Sequence, residues 1–106
     1  MTWILLFVAG IFEIGFALGV KYSEGFTRLW PTLGMVGAGG LSFYLLSLSM
    51  RSLPAGTAYA VWTGIGAAGT AILGILFLGE SGNLFRVISL FLIVAGVIGL
   101  RFSSTV

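Results

Sequence analysis

Glu13 is the single carboxylate in the stretch AGIFEIGFALG, residues 9–19, where the other residues are apolar or small. A helix from Thr2 to Val20 would be about 28 Å long, close to the thickness of the bilayer hydrocarbon, with Glu13 near its centre. An ionised carboxylate there costs roughly 3 kcal/mol on insertion scales, so the group favours a bound proton or a paired cation. The sequence therefore predicts a site where a proton and a cation compete, the alternative being a structural carboxyl hydrogen-bonded between helices.

The neighbours of Glu13 on its own helix are small on one side and aromatic on the other. Residues three and four positions away share its face, and these are Ala9, Gly10, Phe16 and Ala17. A small cation has room to approach past the small side chains. Lys21 lies two turns away near the membrane interface, which makes it a poor permanent partner for the carboxylate.

Tyr59, Trp62 and Thr63 form a second candidate group, because their spacing places two rings and two hydroxyls on one face of a helix. Aromatic faces attract cations by up to about 2 kcal/mol in a dry site, and a tyrosine hydroxyl can hold a carboxylate. Packing between helices is the alternative role for these rings. Ser42 is a further candidate, either as a partner of the carboxylate or as a hydroxyl bonded to a carbonyl of its own helix.

The composition places these side chains in a membrane protein. Of 106 residues, 58% are hydrophobic and 8% are charged, which is far from the usage of soluble domains. The absence of cysteine and histidine excludes disulfides, thiolate nucleophiles and imidazole relays, and it argues against an enzyme, a metal site or another cofactor. The five basic residues are dispersed, so no nucleic-acid partner is expected.

Four apolar spans separate the charged residues, at approximately residues 2–20, 30–50, 56–78 and 84–102. Each is long enough to cross the lipid bilayer as a helix, and the joins are short and contain Pro or Gly. The sequence therefore predicts an all-α integral membrane protein, with four transmembrane helices in a single domain over residues 1–106. An even number of spans places both ends of this domain on one side.

Glycine is the most conspicuous small residue in these spans. Many of the 17 glycines recur at spacings that suit close helix packing, among them Gly15, Gly19, Gly34, Gly37 to Gly40, Gly64 to Gly69, Gly96 and Gly99. The segment GIGAAG, residues 64–69, also matches the dinucleotide-binding string. It lies inside a predicted membrane helix with no preceding strand, so no nucleotide site is expected there.

The basic residues are nearly balanced between the two sides of the membrane. Arg51 and Arg101 fall on one side, and Lys21, Arg28 and Arg86 fall on the other. Because an excess of Lys and Arg normally fixes the cytoplasmic side, this balance predicts weakly specified insertion, the alternative being that one charge suffices. Two copies in opposite orientations would form an inverted repeat of the kind that many transporters build into a single chain.

Four motifs resemble the small multidrug resistance family of four-helix exporters over nearly the whole chain. They are AGIFEI around Glu13, KYSEGFTRLWP in the first loop, LPAGTAYAVWTGIGA from Leu53 to Ala67, and GVIGLR near the end. The resemblance implies an antiparallel, dual-topology homodimer in which two copies of Glu13 form one central site. It also implies proton-driven export by alternating access, in a multi-pass protein of the bacterial inner membrane.

Within that family, the segment GTAYAVWTGIGA is similar to the guanidinium-exporter subtype. By that likeness the site would be lined by Gly10, Glu13, Ser42, Tyr59 and Trp62. Guanidinium exporters usually carry a tryptophan three residues after the acid, where its indole N–H can hold the carboxylate. This chain has Phe16 at that position, and a phenyl ring has no hydrogen to donate.

Together these features predict a proton-coupled antiporter for guanidinium and simple substituted guanidinium ions. Guanidinium pairs bidentately with carboxylates, so a missing donor at Phe16 is expected to relax selectivity toward small quaternary ions. The alternatives within the family are a broad-specificity quaternary ammonium exporter and one subunit of a pair with a paralogous partner. From another class, a proton-conducting or assembly subunit would also contain a lone intramembrane acid.

Overall fold

Four long α-helices form the protein in the computed structural model, which describes residues 1–104. They are α1 (Thr2–Tyr22), α2 (Leu29–Ser49), α3 (Ala55–Phe77) and α4 (Leu84–Ser103). Each helix is long and apolar enough to cross a membrane. The prediction of an all-α membrane protein with four transmembrane helices is confirmed.

The loops that join the helices are short and are closed by local hydrogen bonds. After α1, the buried Ser23 hydroxyl donates to the Val20 carbonyl at 2.8 Å and accepts from the Phe26 N–H at 3.2 Å. Before α4, the Asn83 side chain accepts from the Arg86 N–H at 3.0 Å, which satisfies one of the free donors at the helix start. Such short connections make successive helices antiparallel.

Helix α1 lies at the centre of the subunit. It packs against both α2 and α3, whereas α4 packs against α3. The buried core cluster comprises Leu6, Ala9, Leu46, Leu53, Ala58, Val61 and Trp62. At the end of α4, the Arg101 guanidinium lies 5.0 Å from the centre of the Trp3 ring on α1. The helix that carries Glu13 is therefore held on two sides, while α4 has no buried residue among those described.

Glycines allow α1 to approach its neighbours closely. A Cβ atom at Gly19 would lie 2.8 Å from the Cβ of Met35 on α2, and one at Gly69 of α3 would overlap the Ile14 side chain of α1. These positions are packing seams, as the spacing predicts. Six glycines of the described helices have open space where a Cβ would be: Gly34, Gly37, Gly40, Gly56, Gly96 and Gly99. Those six do not serve packing inside the subunit.

Candidate functional site

Glu13 opens into a cleft of about 380 Å³ between α1 and α3. The walls of this cleft are small or polar side chains: Ala17, Thr63, Gly66, Ala67, Thr70, Ala71, Glu80 and Arg86. The wall opposite the carboxyl group is bare backbone, because a Cβ at Gly66 would lie 2.6 Å from Cγ of Glu13. Only glycine at this position lets the Glu13 side chain lie against α3.

The Glu13 carboxyl group is incompletely satisfied by the protein. Its Oε1 atom is buried and has no hydrogen-bond partner among residues 1–104. Buried polar atoms are normally paired, and leaving one unpaired costs on the order of 1–3 kcal/mol. A proton or a cation that donates hydrogen bonds would remove this cost, so the geometry suits a carboxyl group that exchanges one for the other.

Ser42 links three helices through a single buried hydroxyl. Its Oγ donates to the Ala9 carbonyl of α1 at 2.7 Å and accepts from Nε1 of Trp62 on α3 at 2.8 Å. Both partners differ from the two that the sequence analysis proposed, which were the Glu13 carboxylate and a carbonyl of α2. The reason is geometric, because Ser42 of α2 lies against α1 one turn before Glu13. The buried indole N–H of Trp62 also needs an acceptor there, and the Ser42 hydroxyl supplies it.

The Ser42 network supports the turn of α1 that carries the carboxylate. In an α-helix the carbonyl of residue 9 accepts the N–H of residue 13, so Ala9 is the residue through which Ser42 reaches Glu13. A carbonyl oxygen has two lone pairs and can accept both bonds. In this subunit the hydrogen bonds of Ser42 and Trp62 therefore reach the backbone turn of α1 that carries Glu13, and not its carboxyl group.

The two rings of the aromatic face lie side by side, with different exposure. Trp62 is 3% exposed, and its ring centroid is 5.6 Å from that of Tyr59 and 5.2 Å from that of Phe43 on α2. Tyr59 is 55% exposed and faces the outside of the subunit. The Thr63 hydroxyl donates to the Tyr59 carbonyl at 2.8 Å, within its own helix. Phe43 was missed by the sequence analysis, because aromatic packing partners on another helix have no signature in the spacing.

Gly10 and Phe16 lie outside the cleft in the single subunit. A Cβ at Gly10 would lie 2.5 Å from Cγ2 of Ile65, so this glycine is a contact point between α1 and α3. The Phe16 ring covers Gly39 of α2, where a Cβ would lie 2.6 Å from its Cδ1. Of the six predicted site residues, Glu13 alone lines the cleft.

The structure adds polar groups that the sequence analysis did not select. Arg86 at the start of α4 forms an ion pair with Glu80 in the preceding loop, and both line the cleft. Thr70 of α3 lies one turn beyond Gly66 and lines it too. The spacing of Thr63, Gly66 and Thr70 in the sequence places them on one face of α3. The spacing does not show which face of an apolar helix is turned toward Glu13.

Comparison with known proteins identifies the family of the chain. A family model described as Small Multidrug Resistance protein matches residues 1–93. The chain belongs to the small multidrug resistance family. The expected transporter, as opposed to an enzyme, and the expected multi-pass location in the inner membrane are thereby confirmed.

Relatives within this family are similar to the chain over nearly its full length. The protein named "Guanidinium exporter" in Yersinia pseudotuberculosis serotype I (strain IP32953) is 59% identical over 104 residues, which cover 98% of this chain and 100% of the relative. Proteins of the same name in Proteus vulgaris and Citrobacter freundii are 57% identical over 104 residues, covering 98% of this chain and 100% and 99% of those relatives. The resemblance to the guanidinium-exporter subtype is confirmed.

Proposed function

We propose that this protein exports guanidinium and simple guanidinium derivatives in exchange for protons, with Glu13 as the group that binds both. The observation that carries this proposal is a carboxyl group inside a membrane span, with a buried, unpaired oxygen at a cleft of small and hydroxyl-bearing residues. Relatives that match almost the entire chain are named guanidinium exporters, which supports the choice of cation.

The chemistry of exchange follows from the two charge states of the Glu13 side chain. The ionised carboxylate attracts guanidinium, whose N–H groups match the two carboxylate oxygens in a planar, bidentate pair. Protonation removes the negative charge and one acceptor, which releases the cation. Because the bilayer disfavours an unpaired charge, the carboxyl group holds one of the two ligands whenever it is closed off from water. Proton uptake on one side thus accompanies cation release there.

Small quaternary ammonium ions are the nearest competing substrates. They carry the same charge but no N–H groups, so they leave the Glu13 oxygens without hydrogen bonds. The cleft also presents hydroxyl groups, which favour a cation that can donate. In the single subunit Phe16 packs on Gly39, so its missing donor can relax selectivity only where two copies of the chain share the site. We expect guanidinium to be preferred and small quaternary ions to be carried less well.

Guanidinium is expected to drive electrical currents in liposomes that contain the purified protein, measured on a solid-supported membrane. Its half-saturating concentration should be at least about tenfold below that of tetramethylammonium, because each charge-assisted hydrogen bond contributes roughly 1.5–3 kcal/mol. Protein-free liposomes give the baseline. Equal responses to both cations would favour a polyspecific exporter, and proton flux with neither cation present would favour a proton-conducting subunit.

The exchange site is completed by a second copy of the chain in the opposite orientation. Four helices enclose the cleft on too few sides to separate two aqueous compartments, and Tyr59 faces outward from the subunit. Helix α4 supplies an apolar face that has no buried residue in the described chain, with Gly96 and Gly99 on it. Small residues on lipid-exposed helices are typical of helix–helix contacts, which supports α4 as the dimer seam.

Replacement of Gly96 by Leu is expected to separate the dimer, because the seam has no space for a branched side chain between two closely packed backbones. Within the subunit, a Cβ atom added at Gly96 meets open space. Molecular mass in detergent by light scattering should fall from dimer to monomer, with at least a tenfold loss of transport. Gly34→Leu, at an equally open position on α2, is the matched control, and dissociation by that variant alone would place the interface elsewhere.

A further inference from the structure

The side chains of Glu13, Thr70 and Glu80 each carry oxygen atoms and lie along one face of α3. They extend from the loop before α4 to the centre of the membrane. Glu13 lies over Gly66, and Glu80 lies over Gly74, where a Cβ would be 2.5 Å from the Glu80 carboxyl carbon. Thr70 stands midway, one helical turn from each glycine. The two glycines are eight positions apart, which is about 12 Å along the helix. All three oxygen-bearing side chains line the same cleft.

The Thr70 hydroxyl is unusual for a hydroxyl inside a helix. Helical Ser and Thr side chains ordinarily donate to a carbonyl one turn earlier, as Thr63, Thr32 and Ser49 do in this protein at 2.8, 2.6 and 3.1 Å. The Oγ1 of Thr70 is buried and makes no hydrogen bond to any residue in the described range. Thr70 lines the same cleft as Glu13, whose Oε1 atom is also buried and unpaired in the described chain.

The charges around Thr70 favour a positively charged ligand. Glu80 is paired with Arg86, so these two groups cancel at the loop end of the cleft. Glu13 then supplies one net negative charge when it is ionised. A cation with several N–H groups can use both unpaired oxygens, whereas an anion would meet the Glu13 carboxylate and no free cationic group in the cleft.

We propose that Thr70 is a cation-binding residue of the exporter, whose Oγ1 accepts an N–H of guanidinium along the path between the Glu80–Arg86 pair and Glu13. This inference rests on the proposed function and adds a binding residue to it. The hydroxyl gives the cation a hydrogen-bond partner at the stage where it has left the loop and its other N–H groups are turning toward the carboxylate. It therefore favours guanidinium over cations that cannot donate.

Thr70→Val tests the proposal because valine has nearly the same shape and no hydroxyl. The half-saturating guanidinium concentration should rise about tenfold, while the maximum current changes less than about twofold. Thr70→Ser restores a hydroxyl and should restore the guanidinium affinity. Thr70→Ala, which removes the hydroxyl and leaves more space, serves as a second variant if the valine protein is poorly folded.

A thermal-stability measurement separates binding from a structural role. Removing an unpaired buried hydroxyl is neutral or stabilising for the fold, so Thr70→Val should melt at the same temperature as the wild type or higher in the absence of cation. Saturating the wild type with guanidinium should raise its melting temperature more than that of the variant at the same concentration. A Thr70→Val variant that is at least as stable as the wild type but binds guanidinium more weakly would identify Thr70 as a ligand contact.

The outcomes distinguish a failure of the proposed role of Thr70 from a failure of the proposed transport function. A wild type that responds to guanidinium and a Thr70→Val variant that responds at the same concentration would overturn the role of Thr70 alone. A valine variant that melts well below the wild type would also overturn it, in favour of a structural hydroxyl. A wild type without any guanidinium response would overturn the proposed function and this inference with it.

Discussion

Glu13→Gln is expected to abolish guanidinium-driven current while leaving the four-helix fold intact. Glutamine has the same shape but no negative charge and no proton to exchange, so neither ligand of the proposed cycle can be held. Losing the counter-charge of a cation inside the bilayer costs roughly 3 kcal/mol, which lowers affinity on the order of 100-fold. Guanidinium current and guanidinium-coupled proton uptake in liposomes are the measurements.

The matched control for this variant is Glu24→Gln. Glu24 is exposed in the loop between α1 and α2, so the same chemical change occurs outside the membrane-spanning helices and away from the cleft. Wild-type currents are expected from it. Equal guanidinium-coupled proton uptake by the wild type and by the Glu13→Gln variant would refute Glu13 as the exchange group, because no other acidic side chain in the described chain lies inside a helix.

Gly66→Ala is expected to reduce transport at least tenfold without changing a residue that carries charge. The added Cβ would lie 2.6 Å from Cγ and 3.2 Å from Cβ of Glu13, and these are inner atoms of the side chain. Either the carboxyl group rotates away from α3 or the two helices separate, and overpacking of this kind costs about 1–3 kcal/mol. The half-saturating guanidinium concentration should rise, and the melting temperature in detergent should fall.

Gly56→Ala on the same helix is the control for the effect of alanine itself. It has no atom within 4 Å of the added Cβ in the described residues, and alanine is the better helix former by about 1 kcal/mol. Gly56→Ala should therefore retain transport and melt at the same or a higher temperature. If Gly66→Ala behaved in the same way, the close contact between Glu13 and α3 would have no part in binding.

The sequence by itself determined the four-helix membrane fold and the importance of Glu13. Long apolar spans between charged residues leave no stable alternative to transmembrane helices, since every backbone donor and acceptor must be paired inside the bilayer. A carboxyl group within such a span is costly, so its presence alone indicates function. The adjacency of Tyr59 and Trp62 also followed from local spacing, because both belong to one helix.

Only the tertiary structure decided which partners the other predicted residues have. Ser42 bonds to Ala9 and Trp62, and Gly10 and Phe16 serve contacts between helices, whereas Thr70 reaches the cleft of Glu13. In a soluble protein the polar face of a helix reveals its rotation. Here the faces toward lipid and toward other helices are both apolar, so hydropathy leaves the rotation of each helix undefined, and close packing at small residues settles it.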